Sequence, residues 1–136
     1  MDRKAGRLLA KETLEDLDLF GQIEQSEPDT LTAPLVAVVH SKGLGITQEA
    51  RDVWSSQAEL FVTIFVRRAP GASDAAEDLL DDLVRASMRA LFEAFEPLVD
   101  KLQIVSVAGT PPTPKGIDGK NYRMERFSVR FSDDGE

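Results

Sequence analysis

Few residues of this 136-residue chain combine type and spacing in a way that could do chemistry. His40, the single histidine, closes an apolar run over residues 35–40. A general base needs a nucleophile or an orienting carboxylate in reach, and no serine, cysteine or carboxylate motif accompanies it. It reads as a strand-end histidine bonded to backbone. Lys42 followed by Gly43, Leu44 and Gly45 has the flavour of a phosphate loop. Such a loop requires Gly-x-x-x-x-Gly-Lys-Ser/Thr between a strand and a helix; here the lysine precedes the glycines, so a flexible loop is expected. Asp78, Asp81 and Asp82 share a helix face, but oxygen-ligand cation sites are usually loops that wrap the ion. They read as a solvated acidic face, or as one paired with another subunit. Arg67, Arg68, Arg123, Arg126 and Arg130 form the one basic set. Phe61 and Phe65 lie on one strand face. Alternation names that face but not its cover, so a second core face under the first helix and a subunit interface both stand.

Composition removes whole classes of chemistry. With no cysteine there is no disulfide scaffold, thiolate zinc site or cysteine nucleophile. One histidine allows no two-histidine metal motif. No nucleophile–base pair, metal cage or cofactor loop is built, so no catalytic residue, cofactor or metal is expected. Sixteen Lys+Arg against 24 Asp+Glu give a net charge of −8, which opposes nonspecific binding to nucleic acid or anionic membranes. No apolar run approaches the roughly 20 residues of a membrane helix, and the basic start lacks the apolar stretch of a signal peptide. The reading is an acidic, cytosolic, globular domain.

The elements that must position these residues follow from periodicity. Residues 2 to 20 read as a helix with Leu8, Leu9, Leu14, Leu17 and Phe20 at helical spacing, stopped at Gly21. Its basic residues come first and its acidic ones later, against the helix dipole. Residues 24–33 read as a connector. Pro34 opens an apolar strand to His40, covered on both faces. Residues 41–57 read as a long loop. Residues 58–66 alternate cleanly: Ala58, Leu60, Val62, Ile64 and Val66 face a core, and Glu59, Phe61, Thr63 and Phe65 face away. A turn at 69–71 leads to the strongest helix, 74–96, with Asp74 and Glu77 spaced as an acidic capping box. Its apolar stripe is Leu79, Leu80, Leu83, Val84, Met88, Leu91, Phe92 and Phe95. A strand over 102–107, a Pro- and Gly-rich loop over 109–120, and a strand over 121–131 complete the chain. The last strand has Phe127, Val129 and Phe131 on one face and Arg126, Ser128 and Arg130 on the other. The prediction is one α/β (α+β) domain over 1–136 in the order αββαββ. Residues 1–33 form the helix and connector, 34–132 the core, and 133–136 a frayed tail. A mixed or antiparallel sheet of about four strands carries the long helix on one face.

Charge is uneven along this order. Residues 74–100 hold eight acids and two bases, a balance of −6; residues 115–130 hold five bases and two acids, a balance of +3. Opposite charges on different surfaces of one small domain suit a head-to-tail contact between copies. That makes Phe61, Phe65, Arg67, Arg68, Asp78, Asp81, Asp82, Arg123, Arg126 and Arg130 the candidate interface residues.

The whole layout, over about residues 2–132, resembles the tail terminator (tail completion, minor tail) proteins of long-tailed bacteriophages. The matching pattern is the N-terminal helix, the strand 34–40, a long loop with Gly43 and Gly45, and the strand 58–66. The helix from Asp74 through Leu91, the strand ending at Val107 and the last strand from Tyr122 to Phe131 complete it. The resemblance implies a structural virion protein at the head–tail junction, assembled in the host cytoplasm. It implies a homo-oligomeric ring, a hexamer, that caps the tail tube, stops its polymerisation and offers a surface to the head connector. Its partners would be further copies of itself, the major tail tube protein and the connector or stopper protein. No membrane or sequence-specific nucleic acid is implied, although DNA would pass through the ring. Two other readings stand beside it: a neck or head–tail joining protein of related fold, and a monomeric α/β domain that binds a small ligand.

Overall fold

The computed structural model describes residues 1–26, 31–50, 53–68, 73–107, 113–117 and 120–133. Helix α1 spans Arg3–Asp16, and strands β1, β2 and β3 span Gln22–Glu24, Leu35–Ala50 and Val53–Arg67. Helix α2 spans Ser73–Phe95 and continues as a 3-10 turn, Glu96–Leu98. Strands β4, β5 and β6 span Leu102–Ser106, Thr113–Ile117 and Lys120–Asp133. The strands form one mixed sheet in the order β1-β2-β3-β6-β4, with β5 also paired to β6. Among the described strands only β1 runs parallel to its neighbour. The class, single-domain architecture, long helix and N-terminal helix are therefore as the periodicity predicted.

Both helices pack on one side of the sheet. The expected face of β3 is buried along its length, with Ala58, Leu60, Val62 and Ile64 fully enclosed and Val66 nearly so. These residues share one cluster with Ala37 and Val39 of β2, Phe127, Val129 and Phe131 of β6, and Leu80, Leu83, Val84, Leu91 and Phe95 of α2. Helix α1 contributes Ala10 and Leu14 to it. A smaller cluster lies on the opposite side of the sheet, where Leu31 and Ala33 cover Val36, Val38, Phe65, Tyr122 and Met124. The Tyr122 hydroxyl ties that cover down by donating to the Ala33 carbonyl at 3.2 Å. The apolar run of β2 is thus covered on both faces, as its composition required.

Several boundaries differ from the sequence expectation, each for a local reason. Helix α1 ends at Asp16, not at Gly21, because Asp18 turns left-handed (φ 54°) and its amide donates to the Glu15 carbonyl. Aspartate is among the few non-glycine residues that tolerate this region. Gly21 instead lies in close approach: a Cβ there would stand 2.9 Å from the Ala33 Cβ. Asp2 caps α1 by accepting from the Ala5 amide at 2.8 Å, which places one anion at the end where the basic residues oppose the dipole. Asp74 is not the cap of α2 but lies inside its first turn, and Glu77 is turned to Arg123 of β6. The apolar stripe of α2 is narrower than predicted, since Leu79 and Phe92 are 39% and 45% exposed. Leu8 of α1 is likewise exposed.

The largest correction concerns residues 41–57. Apart from 51 and 52, which lie outside the described residues, they are not a loop. Strand β2 continues to Ala50 and β3 begins at Val53, paired from Gly43↔Glu59 through Ala50↔Val53 with irregularities at Ser41/Gly43 and Gln48/Ala50. Glycines 43 and 45 therefore sit in a paired strand, opposite Glu59 and Gln57. The connector 24–33 contains the end of the short strand β1, and the predicted loop 109–120 contains β5, which pairs with β6 from Thr113↔Met124 to Ile117↔Lys120. The predicted turn at 69–71 and the tail beyond Asp133 lie outside the described residues.

Candidate functional site

Strand alternation decides which candidate residues meet. On β6, Phe127, Val129 and Phe131 face the helices, so Arg126, Ser128 and Arg130 face the other way, while Arg123 shares the helix side. The basic set is therefore split. Arg123 forms an ion pair with Glu77 of α2 and belongs to the helix side. Position 123 is of opposite parity to 126 and 130, so the basic set named from the sequence does not share one strand face.

The helix-free face holds the remaining arginines in fixed positions. Arg126 lies opposite Thr63 on β3. Its Nε donates to the Thr63 Oγ1 at 3.0 Å, and its guanidinium sits 4.8 Å from the centre of the Phe61 ring. His40, now mid-strand on β2, meets the same Phe61 edge-on at 5.6 Å. One row away, Lys42, Glu59, Arg130 and Gln103 cross four strands. The Lys42 Nζ and the Arg130 Nε reach the two oxygens of Glu59 at 3.1 and 3.0 Å, and the Arg130 Nη1 donates to the Gln103 Oε1 at 3.3 Å. Arg67 reaches the Tyr122 hydroxyl at 3.3 and 3.4 Å and lies over its ring; Arg68 directly follows β3. Phe65 is only 7% exposed and is taken up by the small cluster, whereas Phe61 is half-buried. Neither phenylalanine lies under α1, which packs on the other face.

The acidic residues occupy the opposite side of the molecule. Asp78, Asp81 and Asp82 are exposed on α2. Asp81 also lines an open groove of about 310 Å³ between α2 and β6, with Val84, Arg85, Met88 and Glu125. No protein-family model matches the chain, and no curated protein matches it. Among the described residues no cluster of His, Cys, Asp or Glu could hold a metal ion, and no helix is long and apolar enough to cross a membrane.

Among the described residues two carboxylates are shifted from their ordinary pKa, in opposite directions. Burial alone would raise Glu59, but hydrogen bonds and charge from Arg130 and Lys42 outweigh it and lower its pKa. Burial raises Glu125, and the charges of Asp81 and Glu77 add to that. A lowered carboxylate contributes stability above its ordinary value near 4.5, lost as pH falls through the folded value. A raised one favours the fold below its ordinary value and loses that contribution as pH rises through the folded value. Glu59→Gln is therefore expected to lower the melting temperature at pH 7 by an amount worth about 1 kcal/mol or less, with the deficit vanishing in acid. Glu125→Gln is expected to raise the melting temperature at pH 7, with the gain vanishing below about pH 4.5. Thermal melts of both variants from pH 3 to 8 check the two signs.

Alternation in the sequence already places Glu59 and Thr63 on the face of Phe61, whereas Lys42, Gln103 and Glu125 are not visible there as members of these surfaces. Their roles depend on cross-strand register and helix placement. The parity of Arg123 is a further signal present in the numbering.

Proposed function

We propose that this protein is a structural virion component of the tail terminator type: a ring, most simply a hexamer, that caps a phage tail tube, ends its polymerisation and presents a surface to the head connector. The carrying observation is the placement of opposite charges on opposite sides of one sheet, Arg126 and Arg130 on the helix-free face and Asp78, Asp81 and Asp82 on α2. Two unlike, complementary surfaces make a heterologous contact, which closes into a ring when the rotation is right. Exposed ion pairs contribute about 0–1 kcal/mol each, so charge sets orientation and Phe61 supplies apolar area, with Phe65 already spent inside the chain.

The test is native mass measurement or light scattering on the wild type and on Arg126→Glu/Arg130→Glu, alone and mixed with tail tubes, paired with tail length in infected cells. The wild type is expected to form a ring whose assembly weakens modestly with salt. The double reversal is expected to block assembly at least tenfold more strongly, because like charges then face each other at every contact. An unchanged oligomer in the double reversal would remove this interface. A wild type that stays monomeric even with tail tubes would remove the terminator reading.

A further inference from the structure

Two surfaces of the helix layer match each other in pattern and in sign. The first is the groove between α2 and β6. Its walls are aliphatic, from Val84, which is buried, and Met88, which is half-buried. Two carboxylates, Asp81 from the helix and Glu125 from the strand, stand at the same opening. Burial and the charges of Asp81 and Glu77 all push the Glu125 pKa up. Among the described residues neither carboxylate forms an ion pair, and neither does the exposed Arg85 on the same wall. Phe92, one turn beyond Met88, is half-exposed and lengthens the apolar strip.

The complementary pattern lies on α1. Its N-terminal half carries Arg3, Lys4, Arg7 and Lys11, and among the described residues none of the four enters an ion pair. Lys4, Leu8 and Lys11 follow one another at helical spacing and share one face. Lys4 and Leu8 are exposed, Leu8 by 48%, and Lys11 is half-buried. An apolar side chain thus stands between two cations, where the groove offers an aliphatic floor beneath two acids. We propose that the groove formed by Asp81, Val84, Met88 and Glu125 receives the Lys4–Leu8–Lys11 face of α1 from a second copy of this chain. Leu8 packs on Val84 and Met88. The two ammonium groups meet the two carboxylates, and their methylene stems lie along the apolar walls. Helix α1 packs over β1, β2 and β3, and helix α2 over β3, β6 and β4. In the sheet order β1-β2-β3-β6-β4 the two surfaces therefore belong to opposite edges of the molecule. Each copy both gives and receives, side by side, in the heterologous geometry from which rings close. The contact goes beyond the ring reading above: it uses neither Arg126 nor Arg130, and it sets the helix layers of neighbouring copies edge to edge.

A charge-swap series on the full chain tests it, with self-association followed by native mass measurement and sedimentation, and folding by thermal melting. Lys4→Glu/Lys11→Glu is expected to weaken assembly about tenfold or more, because like charges then meet at the groove. Asp81→Lys/Glu125→Lys is expected to do the same. All four substitutions together are expected to recover assembly to within about threefold of the wild type, since the swapped charges meet again across the contact. Asp81→Asn/Glu125→Gln keeps the shape of the groove and relieves repulsion within the monomer. It is expected to fold at least as well as the wild type and still to assemble several-fold more weakly. Glu93→Gln removes a charge from an exposed position of α2 outside the groove and is expected to change assembly by less than about threefold. Wild-type assembly by Asp81→Asn/Glu125→Gln, or a fourfold variant no better than the two pairs, would overturn the groove as the seat. If Arg126→Glu/Arg130→Glu blocks assembly while the groove variants do not, the strand-face contact stands and the groove contact fails. The reverse outcome supports the groove contact and removes the strand-face one. A monomeric wild type removes both.

Discussion

Leu83→Asp is expected to leave no folded protein. Leu83 is 4% exposed and sits in the main cluster, on the face of α2 that meets β3. Removing a buried leucine side chain loses about 1.5–3 kcal/mol of transfer free energy. The aspartate then places a carboxylate in the same apolar site, where an unpaired ion costs several kcal/mol more even after relaxation. The sum is comparable to the whole stability of a domain, about 5–15 kcal/mol. Circular dichroism and soluble yield read the result directly. Leu79→Asp is the control: Leu79 lies four residues earlier but is 39% exposed, and a surface change of this kind stays within about 0.5 kcal/mol. A soluble Leu83→Asp with unchanged melting would mean that another face of α2 meets the sheet.

The contrast between these two leucines also shows what the sequence makes legible. A period of 3.6 over twenty-three residues identifies α2 and centres its buried face on Leu80, Leu83, Val84 and Leu91. The edges of the stripe depend on how wide the groove beneath the helix is, and so Leu79 and Phe92 fall outside. Alternation over residues 58–66 identifies both faces of β3 for the same reason: a period of two admits no intermediate orientation. Strands whose partner is remote are harder to see. Residues 43–50 carry two glycines and polar side chains, and what makes them a strand is the backbone pairing to residues 53–59 of β3, which no local pattern encodes. β5 contains Pro114 and reads as loop. It is tolerated because the strand pairs only with β6, and a proline fits a strand that has an edge.

The candidate surfaces follow the same division. Which arginines share a face is a matter of counting, and counting separates Arg123 from Arg126 and Arg130. Which acid each arginine meets is a matter of register and helix docking. Glu59 stands directly opposite Arg130, and Glu77 reaches Arg123 from a different element altogether. Those pairings change the electrostatic picture. The balance of +3 over residues 115–130 is therefore not carried on one face: Arg123 pairs with Glu77 on the helix side, while Arg130 shares the Glu59 carboxylate with Lys42 on the other.

The second large effect is expected at Phe131, and its sign depends on a glycine. Phe131 is fully buried, lies 5.4 Å from the Phe95 ring, and its ring tip fills the space against Gly6 of α1. Phe131→Ala is expected to cost about 3–5 kcal/mol, the range for emptying a buried aromatic site. Gly6→Ala should act in the opposite sense to ordinary helix propensity. A helical glycine replaced by alanine normally gains about 1 kcal/mol, but here the new Cβ would stand 2.6 Å from the Phe131 Cζ and 3.1 Å from its Cε1. The ring cannot move freely, being held by Phe95 on another side, so overpacking of about 1–3 kcal/mol outweighs the gain. Gly6→Ala is therefore expected to destabilise the wild type. In a Phe131→Leu background the clashing atoms are absent, and the same substitution is expected to be neutral or stabilising by up to about 1 kcal/mol. Urea unfolding of the four proteins gives the coupling energy between the sites, and packed neighbours of this kind couple by about 0.5–3 kcal/mol. Additive behaviour would mean that α1 does not rest on Phe131 through Gly6, and that its N-terminal turn is held by the Asp2 cap and the apolar residues further along the helix.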